Sequence, residues 1–178
     1  MAKKRTKNNK NILIYGLLTV CSAVLTFVSL VFHFVGSRAS TSGILGNNSS
    51  SSTMSLGDWF DFVSTAEKVD GIISWQIARI LLIATLVMVG LIVIGLIING
   101  FLKNKGLKTV LRIFSVLTIV LALIFIILMF VGSSALSSSA NLGGVIGGAY
   151  TYFPYLATYF ITLFSILTAI FACVSTKK

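Results

Sequence analysis

The sequence predicts an all-α integral membrane protein: a four-transmembrane-helix bundle, both termini cytoplasmic, with an extra amphipathic helix in the first extracytoplasmic loop. Three observations predict it. Charged residues make up 10% of the 178 and hydrophobic residues 56%, whereas a soluble domain carries about 25% charged residues. The apolar residues gather in four blocks, each near the ~20 residues a helix needs to cross ~30 Å of hydrocarbon. Eleven of the fourteen basic residues flank those blocks on what four crossings make a single side.

Residues 1–11 hold Lys3, Lys4, Arg5, Lys7 and Lys10. Lysine and arginine accumulate on cytoplasmic flanks, so this end is expected inside. The first span is predicted over 12–35. Its apolar run outlasts the roughly 7–15 residues of a cleavable signal core. Val20, before Cys21, is also too bulky for a lipoprotein cleavage box, so the span is expected to be retained. Within lipid every backbone N–H and C=O must be paired inside the segment, which makes each of these blocks a helix.

The first outer loop is predicted over 36–79 and holds all four acids of the chain: Asp58, Asp61, Glu67 and Asp70. Ser55 and Asp58 have capping-box spacing. Leu56, Trp59, Phe60, Val63, Ala66 and Val69 then form one stripe of a 3.6-residue period, with Phe62 off the stripe. Gly71 supplies a stop. The spacing therefore predicts an amphipathic helix over 56–70. Membrane-surface helices carry lysine and arginine on the polar face, and this one carries acids.

Three destinations for its apolar stripe follow. It can cap the outer ends of its own bundle. It can bind a partner through Trp59, Phe60 and Val63, with Asp58, Asp61, Glu67 and Asp70 setting charge complementarity. Or Asp58 and Asp61 can form a weak cation site, although two carboxylates fall short of the six to eight oxygens that calcium takes. Asn47 and Asn48 in the same loop begin overlapping glycosylation sequons, used only in a eukaryotic cell. His33, the single histidine, and Arg79, which follows Trp75 by one turn, stand near the outer face. They are candidates to line a polar vestibule; Arg79 is equally an interfacial anchor or an ion-pair partner of Asp70 or Glu67.

The second span is predicted over 80–98. A basic cytoplasmic loop follows over 99–112, with Lys103, Lys105, Lys108 and Arg112. The third span is predicted over 113–131 and a Ser/Gly-rich outer loop over 132–151. The fourth span is predicted over 152–174, where Tyr150, Tyr152, Tyr155 and Tyr159 read as its aromatic belt and Pro154 as a first-turn residue. The tail over 175–178 ends in Lys177 and Lys178. Small residues at helical spacing, Ser165-Ala169-Cys173 in the last span and Thr19-Ala23 in the first, suit close helix packing in lipid. Cys21 and Cys173 lie at depths differing by on the order of 10 Å at 1.5 Å per residue, too far for a disulfide.

An internal similarity stands at an offset of 96. "FVGSRASTS" (34–42) ends the first span and "FVGSSALSS" (130–138) ends the third. This suggests a duplicated helical hairpin, with the acidic stretch inserted into one copy; the other reading is that any two spans of the same direction look alike.

No Asp, Glu or Lys falls mid-membrane, and no zinc, nucleophile-elbow or P-loop motif is present. A catalytic role, a cofactor and a metal are therefore not expected. The basic residues are topological signals rather than a folded surface for nucleic acid. The four-span layout with a larger first outer loop resembles that of claudin- and MARVEL-type tetraspan proteins. The first loop has neither a cysteine pair nor a Gly-Leu-Trp motif, so no residue role carries over.

The expected function is a non-enzymatic four-pass scaffold or accessory subunit in the cell membrane. Its partners are the lipid bilayer and another membrane protein or itself. The alternative is a small transporter, pore or immunity-type protein with a polar outer vestibule.

Overall fold

The computed structural model describes residues 2–43, 46–66, 72–102, 104–142 and 148–176. In order, these form α1 (Ala2–Val28) with a closing 3-10 turn (Ser29–Val31), β1 (Val35–Gly43), β2 (Gly46–Met54), α2 (Leu56–Thr65), α3 (Ile72–Leu102), α4 (Lys105–Leu142), β3 (Gly148–Pro154) and α5 (Leu156–Ser175). Helices over Ile12–Val31, Ile72–Leu102, Lys105–Ser138 and Leu156–Ser175 are long and apolar enough to cross a bilayer. The chain is a multi-pass membrane protein. Leu13, Ile83, Ile113 and Leu163 are each at least half exposed, as residues meeting lipid are.

The expectation of an all-α fold fails at one place. β1, β2 and β3 form an antiparallel sheet of order β2-β1-β3. The register is one-to-one, from Val35↔Met54 to Gly43↔Gly46 on one side of β1 and from Val35↔Pro154 to Thr41↔Gly148 on the other. The first span consequently stops at Val31 rather than at residue 35. Phe34 already donates its N–H to Met54 O and accepts from Tyr155 N, both at 2.8 Å, which commits the chain to strand pairing. The fourth helix begins at Leu156, because Tyr150, Tyr152 and Pro154 belong to β3.

The other two apolar helices exceed their predicted limits. With 31 residues α3 is ~46 Å long, and with 38 residues α4 is ~57 Å, both beyond ~30 Å of hydrocarbon. The Ser-rich stretch after Gly132 stays helical to Leu142 instead of forming a loop. Its hydroxyls bond back along the helix, Ser137 Oγ to Ser133 O at 2.7 Å and Ser138 Oγ to Ser134 O at 3.0 Å, as serine does mid-helix.

The chain packs as two units. One comprises Met1–Val28, Leu82–Leu123 and Ile161–Lys178. Its interior combines aliphatic side chains such as Leu82, Ile92, Leu111 and Ile161 with small and hydroxylated ones. Thr19, Ala23, Ser165 and Ala169 are buried, and Cys173 is half-buried. Thr168 Oγ1 lies 2.9 Å from Ser22 Oγ across α5 and α1. Arg112 donates to Thr176 O at 2.7 Å. Both cysteines are free thiols. The other unit comprises Ser29–Leu81 and Ile124–Phe160. It contains the sheet, α2 and the helix ends around them, and it holds every charged candidate residue within the described chain.

Candidate functional site

Helix α2 starts where a side chain can replace missing backbone partners. Ser55, with φ −70° and ψ 176°, accepts the Asp58 N–H on its hydroxyl at 3.3 Å. Asp58 Oδ2 accepts in return from Ser55 N at 3.1 Å and from Ser55 Oγ at 2.7 Å. This closed capping box satisfies donors that the first turn otherwise leaves unpaired. The Ser55 hydroxyl, and then its N–H, stabilise the carboxylate form of Asp58 and hold its pKa below the ordinary value. The helix ends at Ala66, whose N–H returns to Phe62 O. The predicted stretch beyond it, with Glu67 and Asp70, lies outside the described residues.

What the helix covers is aromatic. Trp59 and Val63 are fully buried. The Trp59 ring stacks on Phe34 at a 5.6 Å centroid distance and 6° interplanar angle, and meets Trp75 edge-on at 6.3 Å. Trp75 is also fully buried, and it donates its indole N–H to Met129 O of α4 at 3.3 Å. Phe62 packs on Trp75 at 5.9 Å and on Tyr152 of β3 at 6.4 Å. Gly132 of α4 lies directly beneath the Trp75 ring, where a Cβ would overlap the indole. One cluster therefore ties α2 to the residue entering β1 and to β3, α3 and α4. Each such aromatic pair contributes about 0.5–1.5 kcal/mol beyond the area it buries.

The proposed contact residues thus separate. Trp59 and Val63 are internal and cannot meet a partner directly, because rings from the same chain already occupy their surroundings. Phe60 is half-buried, while Asp58, Asp61, Ser64 and Thr65 are exposed. Phe62, which falls off the apolar stripe, contributes to the cluster because a sheet strand closes in on that side.

Arg79 stands with its guanidinium carbon 5.7 Å from the centre of the Phe60 ring, a cation–π contact. The ion pair considered for it involves residues outside the described chain. His33 is exposed and meets Tyr155 edge-on at 6.3 Å. Its carbonyl accepts the Ala157 N–H at 3.1 Å, and Phe34 O accepts from Thr158 Oγ1 at 3.0 Å, so the chain leaving α1 caps the start of α5. As candidate vestibule residues, both are engaged by aromatic rings.

Among the described residues, no three His, Cys, Asp or Glu side chains gather as metal ligands would. Arg112, Ile113, Val116, Leu117 and Val120 border an open apolar groove on α4. They recur at one-turn spacing on a face where Ile113 and Val116 are more than half exposed, which is the side a lipid chain meets.

The strands and Trp75's central place were not read from sequence. The only forewarning of β3 was the alternation in "AYTYF" (149–153), which also fits an aromatic belt. No protein-family model matches this chain, and no curated protein matches it.

Proposed function

We propose that this chain is a non-enzymatic scaffold or accessory subunit of the cell membrane, with both termini cytoplasmic and its aromatic cap outside. It binds a membrane-protein partner through the polar face of α2. The observation that carries this reading is the division of that helix. Trp59 and Val63 are fully buried, whereas Asp58 and Asp61 stand exposed on a helix locked by its capping box. A helix held this firmly presents its carboxylates in fixed positions, and that lowers the ordering cost of docking. The partner surface it suits is basic, with a shallow apolar spot for the half-buried Phe60.

This changes which residues do what. Trp59 and Val63 support the surface, and Phe60, Asp58 and Asp61 form it. The test is co-purification from the native membrane in mild detergent. Asp61→Lys combined with Phe60→Ala is expected to abolish recovery of the partner while leaving insertion and unfolding temperature near wild type. Unchanged recovery would contradict the proposal. Trp59→Ala serves as the comparison, because it should lower stability first and recovery only as a consequence.

A further inference from the structure

Helix α4 changes character at Arg112. Lys105 and Lys108 precede it, and the nineteen residues from Ile113 to Val131 carry no charge. At 1.5 Å per residue that run measures about 28 Å, close to the ~30 Å of the hydrocarbon core. Arg112 therefore sits at the edge of the hydrocarbon, and the two lysines lie at the depth of lipid headgroups.

The open groove bordered by Arg112, Ile113, Val116, Leu117 and Val120 has a volume of about 430 Å³, within the ~300–1,000 Å³ of small-molecule sites. From Ile113 to Val120 it runs about 10 Å along the helix. It therefore stays inside one leaflet's half of the hydrocarbon. At 3.6 residues per turn, Lys105, Arg112 and Val116 fall within about 40° of one another around α4, and Lys108 stands one turn before Arg112. Cations and groove form one continuous stripe, charged at its head and apolar below.

The head of the stripe is held in place. Arg112 is exposed and donates to Thr176 O at 2.7 Å. That bond fixes the guanidinium beside the end of α5 and uses one of its five N–H donors. Its surroundings supply no counter-charge. The unit formed by Met1–Val28, Leu82–Leu123 and Ile161–Lys178 contains eleven Lys and Arg residues and not one Asp or Glu.

We infer that this stripe binds one anionic phospholipid, with its phosphate on Arg112, flanked by Lys105 and Lys108, and an acyl chain in the groove down to Val120. Charge selects the occupant. A guanidinium meets phosphate oxygens two at a time, and lysines add point charges. A second copy of this unit would bring only more lysine and arginine to the same place. A zwitterionic lipid carries a cation beside its phosphate, and a free phosphate has no chain to fill the groove. The inference depends neither on the acidic face of α2 nor on which side of the membrane the termini face, so it and the proposed function fail separately.

The test uses the full chain in mild detergent, with native mass spectrometry reading which lipid stays bound after equal additions of phosphatidylglycerol and phosphatidylcholine. One phosphatidylglycerol per chain is expected, preferred about fivefold or more, with the preference shrinking as salt rises. Arg112→Gln keeps a donor for Thr176 O but no charge, and should reduce the preference about fivefold; Arg112→Lys should restore part of it. Lys105→Gln, at an exposed position, repeats the charge test away from the Thr176 bond. Val116→Trp fills the groove and should lower retention of the lipid with every cation in place. Equal retention of the two lipids, the mark of a merely annular layer, would overturn the inference. So would displacement of the lipid by glycerol 3-phosphate, a preference unmoved by both charge variants, retention unmoved by Val116→Trp, or a lipid-free dimer that Val116→Trp dissociates.

Discussion

Phe34–Ser42 and Phe130–Ser138 read "FVGSRASTS" and "FVGSSALSS", identical at six of nine positions. The first becomes strand from Val35 and the second stays helix throughout. The difference lies in their neighbours. Val35–Gly43 has an unbroken strand partner on one side, and Val35–Thr41 on the other. Phe130–Ser138 continues a helix whose serine hydroxyls return to carbonyls one turn back. One feature survives the change of conformation. Gly36 lies under the Phe153 ring and Gly132 under the Trp75 ring, and in both places a Cβ would overlap the aromatic. The shared glycine serves the same close approach in two different backbones. At both ends of the offset of 96 the shared glycine marks a packing device, whatever the origin of the likeness.

Replacing the rings should produce the largest effect. Trp75→Ala, and nearly as much Trp59→Ala, is expected to cost about 3–5 kcal/mol, as for other buried aromatics, read from denaturant unfolding in detergent. A smaller effect separates the two glycines. Gly132→Ala pushes against an indole that is fully buried and bonded to Met129 O, and should cost about 1–3 kcal/mol. Gly36→Ala pushes against a Phe153 ring that is 37% exposed and so less confined than the indole, and its cost should be clearly smaller. Equal costs would break the comparison.

Next in size is Ser137→Ala, which removes the partner of the Tyr152 N–H. About 1 kcal/mol is expected, together with faster hydrogen exchange at the Tyr152 amide and little change along β2.

The capping box should show an effect no larger than that, with a definite pH dependence. Ser55→Ala is expected to cost about 1 kcal/mol. The pKa of Asp58 is depressed in the fold, so its contribution is present above the unfolded carboxylate value of about 3.9 and is lost as pH falls through the lower folded value. Protection of the amides at the start of α2, taken relative to an unstructured chain at the same pH, should therefore fall under acid in the wild type. Asp58→Asn should remove most of that acid step.

The four spans were legible because a bilayer imposes length and apolarity on local sequence, and Ile80–Ile98 or Ile113–Val131 could be little else. The start of α2 was legible for a similar reason, since Ser55 and Asp58 interact over three residues. The sheet was not. "GNNSSSSTM" (46–54) has no hydrophobic alternation, and the pairing of β1 with β3 joins residues as far apart as Ser40 and Ala149, which no short window can see. The fate of Trp59 was half legible: the stripe on α2 put the ring on an apolar face, with burial against its own bundle and contact with a partner both open. That Phe34 and Trp75 bury it depended on strands and helix ends brought together by the fold.

The central claim is that α2 is seated by an aromatic core internal to this chain. The chain has only two tryptophans, Trp59 and Trp75, so their emission measures that core directly. In nanodiscs, the account predicts blue-shifted emission that neither an aqueous quencher nor bromine-labelled lipid quenches strongly, because both rings are enclosed by protein. Red-shifted emission with ready quenching from water, or strong quenching from the lipid side, would contradict it.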